Sequence, residues 1–323
     1  MQILAVDDDP IILELLTEFV LALGEHAITT AESGQAALEL IESQREVRFD
    51  CFLFDIQMPG MDGIELTRQV RDIARHADTP ILMLTAMNDK RYIDSAFSAG
   101  ATDYVTKPFE ISELNARLKL IEGLVESRRV RTRKIFATQS IPAQKPTVEL
   151  LEPISIYDVE NVIDYMAMEN YAHQLNSNEL FGSTAFAFTI RDIETFHASM
   201  TSFEFYSLVS DVAEVISDTL SGHQFLMSYA GNGTFVCITE SGWRPDVIKL
   251  MDSINLALAT TELYDNTGCR IEPRVSSGEA VRLIWRAGTS VIDGLASAHM
   301  SAEHAAIEYG RAKRDFWHVG QTA

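Results

Sequence analysis

The sequence predicts an α/β amino-terminal domain built on a doubly wound, five-stranded parallel sheet, followed by an α+β domain. Three observations carry this. Strand-like and helix-like patterns alternate five times over the first 125 residues. Four of the apolar runs end in residues with reactive side chains. A basic, proline-containing stretch then separates the alternation from a mixed second half.

The elements follow in order. Apolar strands begin near Gln2, His26, Asp50, Pro80 and Thr102, and helical patterns begin near Pro10, Gln35, Gly63, Asp89 and Glu110. Asp9-Pro10 reads as an N-cap and an N1 proline opening a helix from Ile11 to Leu23. Met58-Pro59-Gly60-Met61-Asp62-Gly63 is a turn-rich loop just after the strand Cys51-Phe52-Leu53-Phe54-Asp55, which sets Asp55 at an open rim. The fifth helix continues through Ile121, Leu124 and Val125 into Arg128-Arg129-Val130-Arg131-Thr132-Arg133-Lys134, and Pro142, Pro146 and Pro153 then interrupt any helix. We therefore delimit a first domain at 1–126, a linker at 127–155 and a second domain at 156–323.

In the second domain, Ile156 to Leu175 reads as an amphipathic helix with Val159, Val162, Ile163, Met166 and Tyr171 on its apolar face. Ala185 to Ile190 is a buried strand, and Phe205 to Leu220 a helix. Phe225 to Tyr229 and Phe235 to Ile238 flank Gly231-Asn232-Gly233, a hairpin signal. A helix from Pro245 to Thr261, a strand near Ile271 to Ser276 and a helix from Leu295 to Arg314 complete the pattern.

Composition excludes several classes. Net charge is −21: residues 1–126 and 151–323 each carry −13, and residues 127–150 carry +5. An acidic surface repels phosphate backbones, and no basic recognition helix follows residue 150, so DNA binding is not expected. No run of about 18 uncharged apolar residues exists to span a membrane. The chain starts directly in a strand pattern without a leader segment, and Cys51, Cys237 and Cys269 are widely spaced, as reduced and mostly buried cytoplasmic thiols would be. His299 and His304, five apart, are a poor metal pair and read as surface or satisfied residues.

Asp7, Asp8 and Asp55 each close an apolar strand, and parallel sheets gather their active groups at the strands' carboxyl ends. Three converging carboxylates are tolerable when a hard divalent cation lies among them. Asp55 is then a carboxylate nucleophile toward a phosphoryl group. Thr85, 30 residues on, offers a hydroxyl to a phosphoryl oxygen, and Lys107, a further 22 on, neutralises developing charge. Taken singly, Asp7 and Asp8 read equally well as loop acids, Thr85 as a strand-end hydroxyl and Lys107 as a solvated lysine. Together the set resembles the receiver domain of two-component response regulators. That resemblance implies a flavodoxin-like fold, Mg2+ held by Asp7, Asp8, Asp55 and the backbone carbonyl of Gln57, and an inward turn of Tyr104 on phosphorylation. It also implies a cis Lys107-Pro108 peptide and a sensor histidine kinase or phosphotransfer protein as phosphodonor. No residue is assigned to an organic cofactor in this domain, Glu113 of the fifth helix included.

Asp192-Ile193-Glu194-Thr195-Phe196 and Ser228-Tyr229-Ala230-Gly231-Asn232-Gly233-Thr234-Phe235-Val236 resemble the metal-binding strand end and the hairpin of GGDEF diguanylate cyclase domains. Tyr309-Gly310-Arg311-Ala312-Lys313-Arg314-Asp315 resembles that family's closing helix, where a lysine meets substrate phosphates. The resemblance implies a ferredoxin-like, nucleotide-cyclase-type fold. Asp192 matches the first metal ligand, but Asn232 and Gly233 stand where two acids belong, and a two-metal mechanism needs acids from both loops. Met200 and Thr201 occupy the guanine-reading positions, and Ser221-Gly222-His223-Gln224 lacks the inhibitory Arg-x-x-Asp. Class III nucleotide cyclases offer a competing alignment, in which Ser297 and Ser301 replace the catalytic Asn and Arg. The bland alternatives are that Asp192 caps a strand or helix, that Gly231-Asn232-Gly233 is only a tight turn, and that Lys313 favours a helix dipole.

The expectation is a phospho-switch at Asp55 controlling a degenerate, non-catalytic GGDEF-like output domain that binds an unidentified downstream protein or a nucleotide. Receiver homodimerisation is left open, as is GTP binding. The alternative is an active diguanylate or other nucleotide cyclase.

Overall fold

A computed structural model describes the chain except residues 25, 45–47, 87–89, 138–147, 157–158, 175–181, 240, 266–267, 284–290 and 321–323, and leaves the side chains of 127–137 and 313–320 undescribed. The chain divides into two compact units, Met1–Gln144 and Lys145–Ala323.

The first unit alternates β1 (Gln2–Val6), α1 (Pro10–Ala22), β2 (Ala27–Ala31), α2 (Gly34–Ser43), β3 (Cys51–Asp55), α3 (Gly63–Arg71), β4 (Ile81–Thr85), α4 (Lys90–Ser98), β5 (Asp103–Thr106) and α5 (Ile111–Ala137). Every strand pair is parallel and the spatial order is β2-β1-β3-β4-β5. β1, β3 and β4 are buried along almost their whole length, as strands covered by helices on both faces must be. Order reverses between β1 and β3, and such a switch point is where doubly wound sheets place a site. Local chemistry sets the helix starts. The Asp9 carboxylate accepts from the Ile11 amide at 2.9 Å with Pro10 at N1, and the Asp62 carboxylate accepts from the Glu65 amide at 2.7 Å. The predicted start of the fourth helix, Asp89, lies outside the described residues.

The fifth helix runs on to Ala137, so the first third of the segment assigned to a linker is helical. Its next part, 138–147, lies outside the described residues.

The second unit contains α6 (Tyr165–Gln174), β6 (Thr184–Ile190), α7 (Ile193–Ser199), α8 (Ser202–Leu220), β7 (Phe225–Tyr229) and β8 (Thr234–Thr239). Then come α9 (Val247–Thr260), β9 (Leu263–Tyr264), β10 (Arg270–Ile271), β11 (Val275–Ser277), β12 (Val281–Arg282) and α10 (Val291–Gly320). The main sheet runs β11-β6-β8-β7, antiparallel throughout, with β12 also pairing β6. Phe186, Phe188, Met227, Phe235 and Cys237 share a core with Leu208, Val212 and Ile216 of α8 and Ile254 and Leu258 of α9.

Two expectations are corrected. The helix predicted from Ile156 to Leu175 begins only at Tyr165. Asn161 takes a left-handed φ of 61°, and Val162 bridges Met227 of β7, so the chain ahead of the helix is spent on the sheet edge. Asp164 then bonds the Met166 amide at 2.9 Å and starts the helix. Leu175 lies outside the described residues. The strand predicted near Ile271 to Ser276 is two short strands, β10 and β11, divided around Pro273, which has no amide to donate to a ladder.

Candidate functional site

β1, β3, β4 and β5 deliver their last residues to one rim. Asp7 follows β1, fully buried, and its Oδ1 accepts from the Asp9 amide at 3.1 Å, which fixes the carboxylate. Asp8 is exposed and Asp55, ending β3, is buried. One oxygen from each of these acids falls within 4.8 Å of the others. Among the described residues no other group of three His, Cys, Asp or Glu gathers in this way.

Lys107 enters from the end of β5, where its amide bonds the Thr85 carbonyl. Its Nζ lies 2.6 Å from Asp7 Oδ2 and 3.1 Å from Asp55 Oδ1. Burial raises the pKa of Asp55 from the usual carboxylate range; the Lys107 charge and hydrogen bond work against that rise, the Asp7 charge adds to it, and a hydrogen bond from the Gln57 backbone lowers it. Thr85 ends β4, fully buried and paired across to Thr106. The Lys107-Pro108 peptide is cis. Tyr104 points inward, 7% exposed and edge-on to Phe97 at 6.2 Å.

Three carboxylates against one ammonium leave about two negative charges at the rim. Oxygen donors, two of them on buried acids, and that residual charge fit a hard divalent cation such as Mg2+.

Sequence reasoning placed Gly63 at a helix start but missed its close approach to Asp55. A Cβ there would lie 2.0 Å from the Asp55 carbonyl oxygen, so a glycine is what lets the start of α3 close over the end of β3. Its position at the first helical residue after an N-cap aspartate was the available signal.

In the second unit, Asp192 follows β6 in a left-handed conformation, φ 54°, exposed and without a side-chain cap bond. The Ile190 amide donates to the Gly233 carbonyl at 2.8 Å, so the hairpin tip lies beside the strand end that carries Asp192. Gly231, Asn232 and Gly233 all have positive φ, at 92°, 51° and 74°. A Cβ on Gly233 would meet Ile193 Cγ1 at 2.9 Å. The Asn232 amide nitrogen donates to Glu303 Oε1 at 2.7 Å, and His299 Nε2 stands 3.3 Å from the same oxygen. That second pairing, missed in sequence, was legible as a His-x3-Glu spacing on one helix. The Lys313 side chain lies outside the described residues. Arg191 stacks over the Tyr309 ring at 3.8 Å, so α10 closes over the loop after β6.

Cys51 and Cys237 are buried, and burial pushes both thiols up, whereas Cys269 is exposed. No helix among the described residues is long and apolar enough to cross a membrane.

Residues 3–119 match the family described as response regulator receiver domain. The chain is 41% identical over 121 residues to the heme response regulator HssR of Staphylococcus aureus strain JH9, covering 37% of this chain and 50% of that protein. It thus spans about half the length of the curated relatives it matches. Among solved structures, the chemotaxis protein CheY4 of Vibrio cholerae is 32% identical with TM-score 0.35, covering 37% of this chain and 97% of that one. A putative response regulator from Chloroflexus aurantiacus is 40% identical with TM-score 0.34, covering 37% and 95%. The match to the family ends at residue 119, ahead of the second unit.

Proposed function

Starting from a receiver domain at residues 3–119, we propose that this chain is a response regulator in which Asp55 accepts a phosphoryl group and switches a non-catalytic second domain. A receiver domain takes its phosphoryl group from a histidine kinase or phosphotransfer protein. The observation that carries the reading is the Lys107 ammonium shared between Asp7 and Asp55 at the carboxyl ends of β1 and β3.

In the transfer, an Asp55 oxygen forms a bond to phosphorus as the P–N bond of a phosphohistidine breaks, and the imidazole leaves with its electron pair. Lys107 neutralises charge on the phosphoryl oxygens, and the Thr85 hydroxyl donates to one of them. Asp7, Asp8, Asp55 and the Gln57 carbonyl would hold Mg2+, which supplies charge neutralisation when bound. Tyr104, already packed on Phe97, is the side chain through which β5 reports the change.

The second domain is read as a degenerate GGDEF-like, ferredoxin-like fold. The order β6, α7 and α8, β7, β8, α9, β11, with strands laid out β11-β6-β8-β7, supports the split βαβ topology. Asn232 in a turn of three positive-φ residues, bonded to Glu303, supports a structural rather than metal-holding tip. We assign this domain a binding role toward a protein or a nucleotide. The alternative, a cyclase, would keep Asp192 as its first metal ligand and Lys313 as its phosphate contact, without the two acids that Asn232 and Gly233 replace.

Phosphorylation with acetyl phosphate and Mg2+ followed on a phosphate-affinity gel tests the first half: Asp55→Asn should abolish the shifted band. An unchanged band in Asp55→Asn overturns it. For the second half, the beryllofluoride-treated protein should yield no cyclic dinucleotide from GTP; turnover at an enzymatic rate would select the cyclase.

A further inference from the structure

We infer that the cavity between α6, β8 and α10 of the second unit binds a small organic cation, an ammonium group carried on an aromatic or branched apolar body. The cavity holds about 310 Å3, the lower end of the range for small-molecule sites. Side-chain alternation creates it. Phe186, Phe188, Met227, Phe235 and Cys237 go to the sheet face that packs on α8 and α9. The face under α6 and α10 is left with shorter side chains, among them Ala187, Val236 and Ser228, which stand in register across β6, β8 and β7. Val236 floors the cavity. Ser228, in the same row, is fully buried, and its Oγ has no hydrogen-bond partner among the described residues. A buried hydroxyl without a partner is uncommon in a finished core.

The walls carry the charge. Tyr165 and Glu169 lie one turn apart on α6, and Leu295, His299 and Glu303 lie one turn apart on α10, so each helix presents a single stripe to the cavity. Glu303 is already positioned: the Asn232 amide nitrogen donates to its Oε1 at 2.7 Å, and His299 Nε2 stands 3.3 Å from the same oxygen. Glu169 is half-buried and has no hydrogen bond or ion pair among the described residues. Burial, then the Glu169 charge, raises the pKa of the Tyr165 phenol, so its hydroxyl stays protonated beside that acid. Two carboxylates thus face at most one positive charge, on His299. Their attraction for a cation is stronger in a half-buried site than on open surface. A phosphate or carboxylate ligand would meet both acids, whereas an ammonium gains a charge-assisted bond to Glu169 and the face of the Tyr165 ring. Met168 in the wall and Met300 at the mouth, 64% exposed, are side chains that adapt to a flat or branched body.

This site goes beyond the binding role proposed above. It uses neither phosphorylation nor the hairpin's metal chemistry, so its failure leaves both of those readings standing. The test titrates the full, unphosphorylated chain with three indoles of like body: tryptamine, a cation; tryptophol, neutral; and indole-3-propionate, an anion. Isothermal calorimetry is run in about 0.15 M salt, which screens loose attraction to an acidic surface. Tryptamine should saturate one site per chain with a Kd of about 1 mM or tighter. It should bind at least about tenfold more tightly than tryptophol, and indole-3-propionate should bind more weakly still. Glu169→Gln, of equal size and uncharged, should weaken tryptamine about tenfold or more. Glu308→Gln, which removes an exposed acid of α10 outside the cavity, should leave binding unchanged. No saturation by tryptamine, tryptophol binding equally well, unaltered binding by Glu169→Gln or an equal loss in Glu308→Gln overturns the inference. If Glu169→Gln does not fold, the comparison of tryptamine with tryptophol on the unaltered chain decides.

Discussion

The Lys107 ammonium sits closer to Asp7, at 2.6 Å, than to the Asp55 carboxylate, at 3.1 Å. Lysine and cation therefore serve the same acids, and each can relieve the repulsion that the other leaves. Lys107→Ala removes the positive charge that faces both acids and leaves Asp7 and Asp55 buried at the rim without it. In EDTA the variant should lose about 1–3 kcal/mol of stability, less than a fully buried pair would lose because the lysine is partly exposed. Millimolar Mg2+ should raise its melting temperature by more than it raises that of the unaltered chain, since the ion binds the folded state alone. Equal Mg2+ shifts in the two proteins would show that the acids do not form a common site.

Gly63 sets the approach of α3 to Asp55. A Cβ at 2.0 Å from the Asp55 carbonyl oxygen meets backbone, which cannot swing aside as a side chain can. Gly63→Ala should destabilise the first unit by about 3 kcal/mol or more, measured by urea denaturation, and lower phosphate uptake at Asp55 with it. The alanine should be harmless at Gly123, a position on α5 where nothing lies within 4 Å of an added Cβ.

His76 gives the first unit a pH dependence. The ring is fully buried between Phe49 and Phe52, and among the described residues its Nε2 has no hydrogen-bond partner. Burial, then the charges of Arg75, Arg48 and Arg71, push its pKa down to about 4. The folded state refuses a proton that the unfolded chain accepts near pH 6.5. Its contribution is complete above pH 6.5 and is lost as pH falls toward about 4. Asp103 acts in the opposite sense. Burial, opposed by Arg117, raises it to about 6, so its contribution is complete below pH 3.8 and is lost as pH rises through 6. The two offset each other between pH 4 and 6, and the unaltered chain alone will hide both. The comparison to make is with His76→Phe. Between pH 8 and pH 5 its stability relative to the unaltered chain should improve by about 2 kcal/mol. No change in that difference would mean that His76 titrates normally.

The first domain was legible because its chemistry is local to strand ends. Asp7, Asp55, Thr85 and Lys107 each close an apolar run, and a parallel sheet brings such ends together whatever the loops do. Gly63 escaped because its requirement is a close approach to Asp55 that no period encodes. In the second unit the sheet was legible from Phe225 to Tyr229 and Phe235 to Ile238, since a Gly-Asn-Gly turn between apolar runs admits few alternatives. The helix placed from Ile156 was not, because Val159, Val162 and Ile163 satisfy a helical period while Val162 is in fact paired with the sheet edge. Period alone cannot tell a short buried loop from a helical turn. The Val148–Glu152 segment was read as linker because it has proline neighbours and no period, and its bonds to His197, Ser202 and Asn232 are made by backbone atoms that carry no sequence signature.

Asn232 lets the structural reading of the hairpin tip be separated from the metal-holding one. On the proposed GGDEF-like reading, Asn232→Asp places a carboxylate where that family carries one, so a metal site there should welcome it. In this fold the substitution exchanges the donor that Glu303 Oε1 accepts at 2.7 Å for a second carboxylate. Two partly buried anions at that distance repel, and His299, 3.3 Å from the same Glu303 oxygen, can serve only one of them. The variant should therefore lose about 1–3 kcal/mol at pH 7. Added Mg2+ should not recover that loss. Urea titrations at pH 7, with and without Mg2+, measure both outcomes. A variant made more stable by the ion than the unaltered chain would return the tip to metal chemistry.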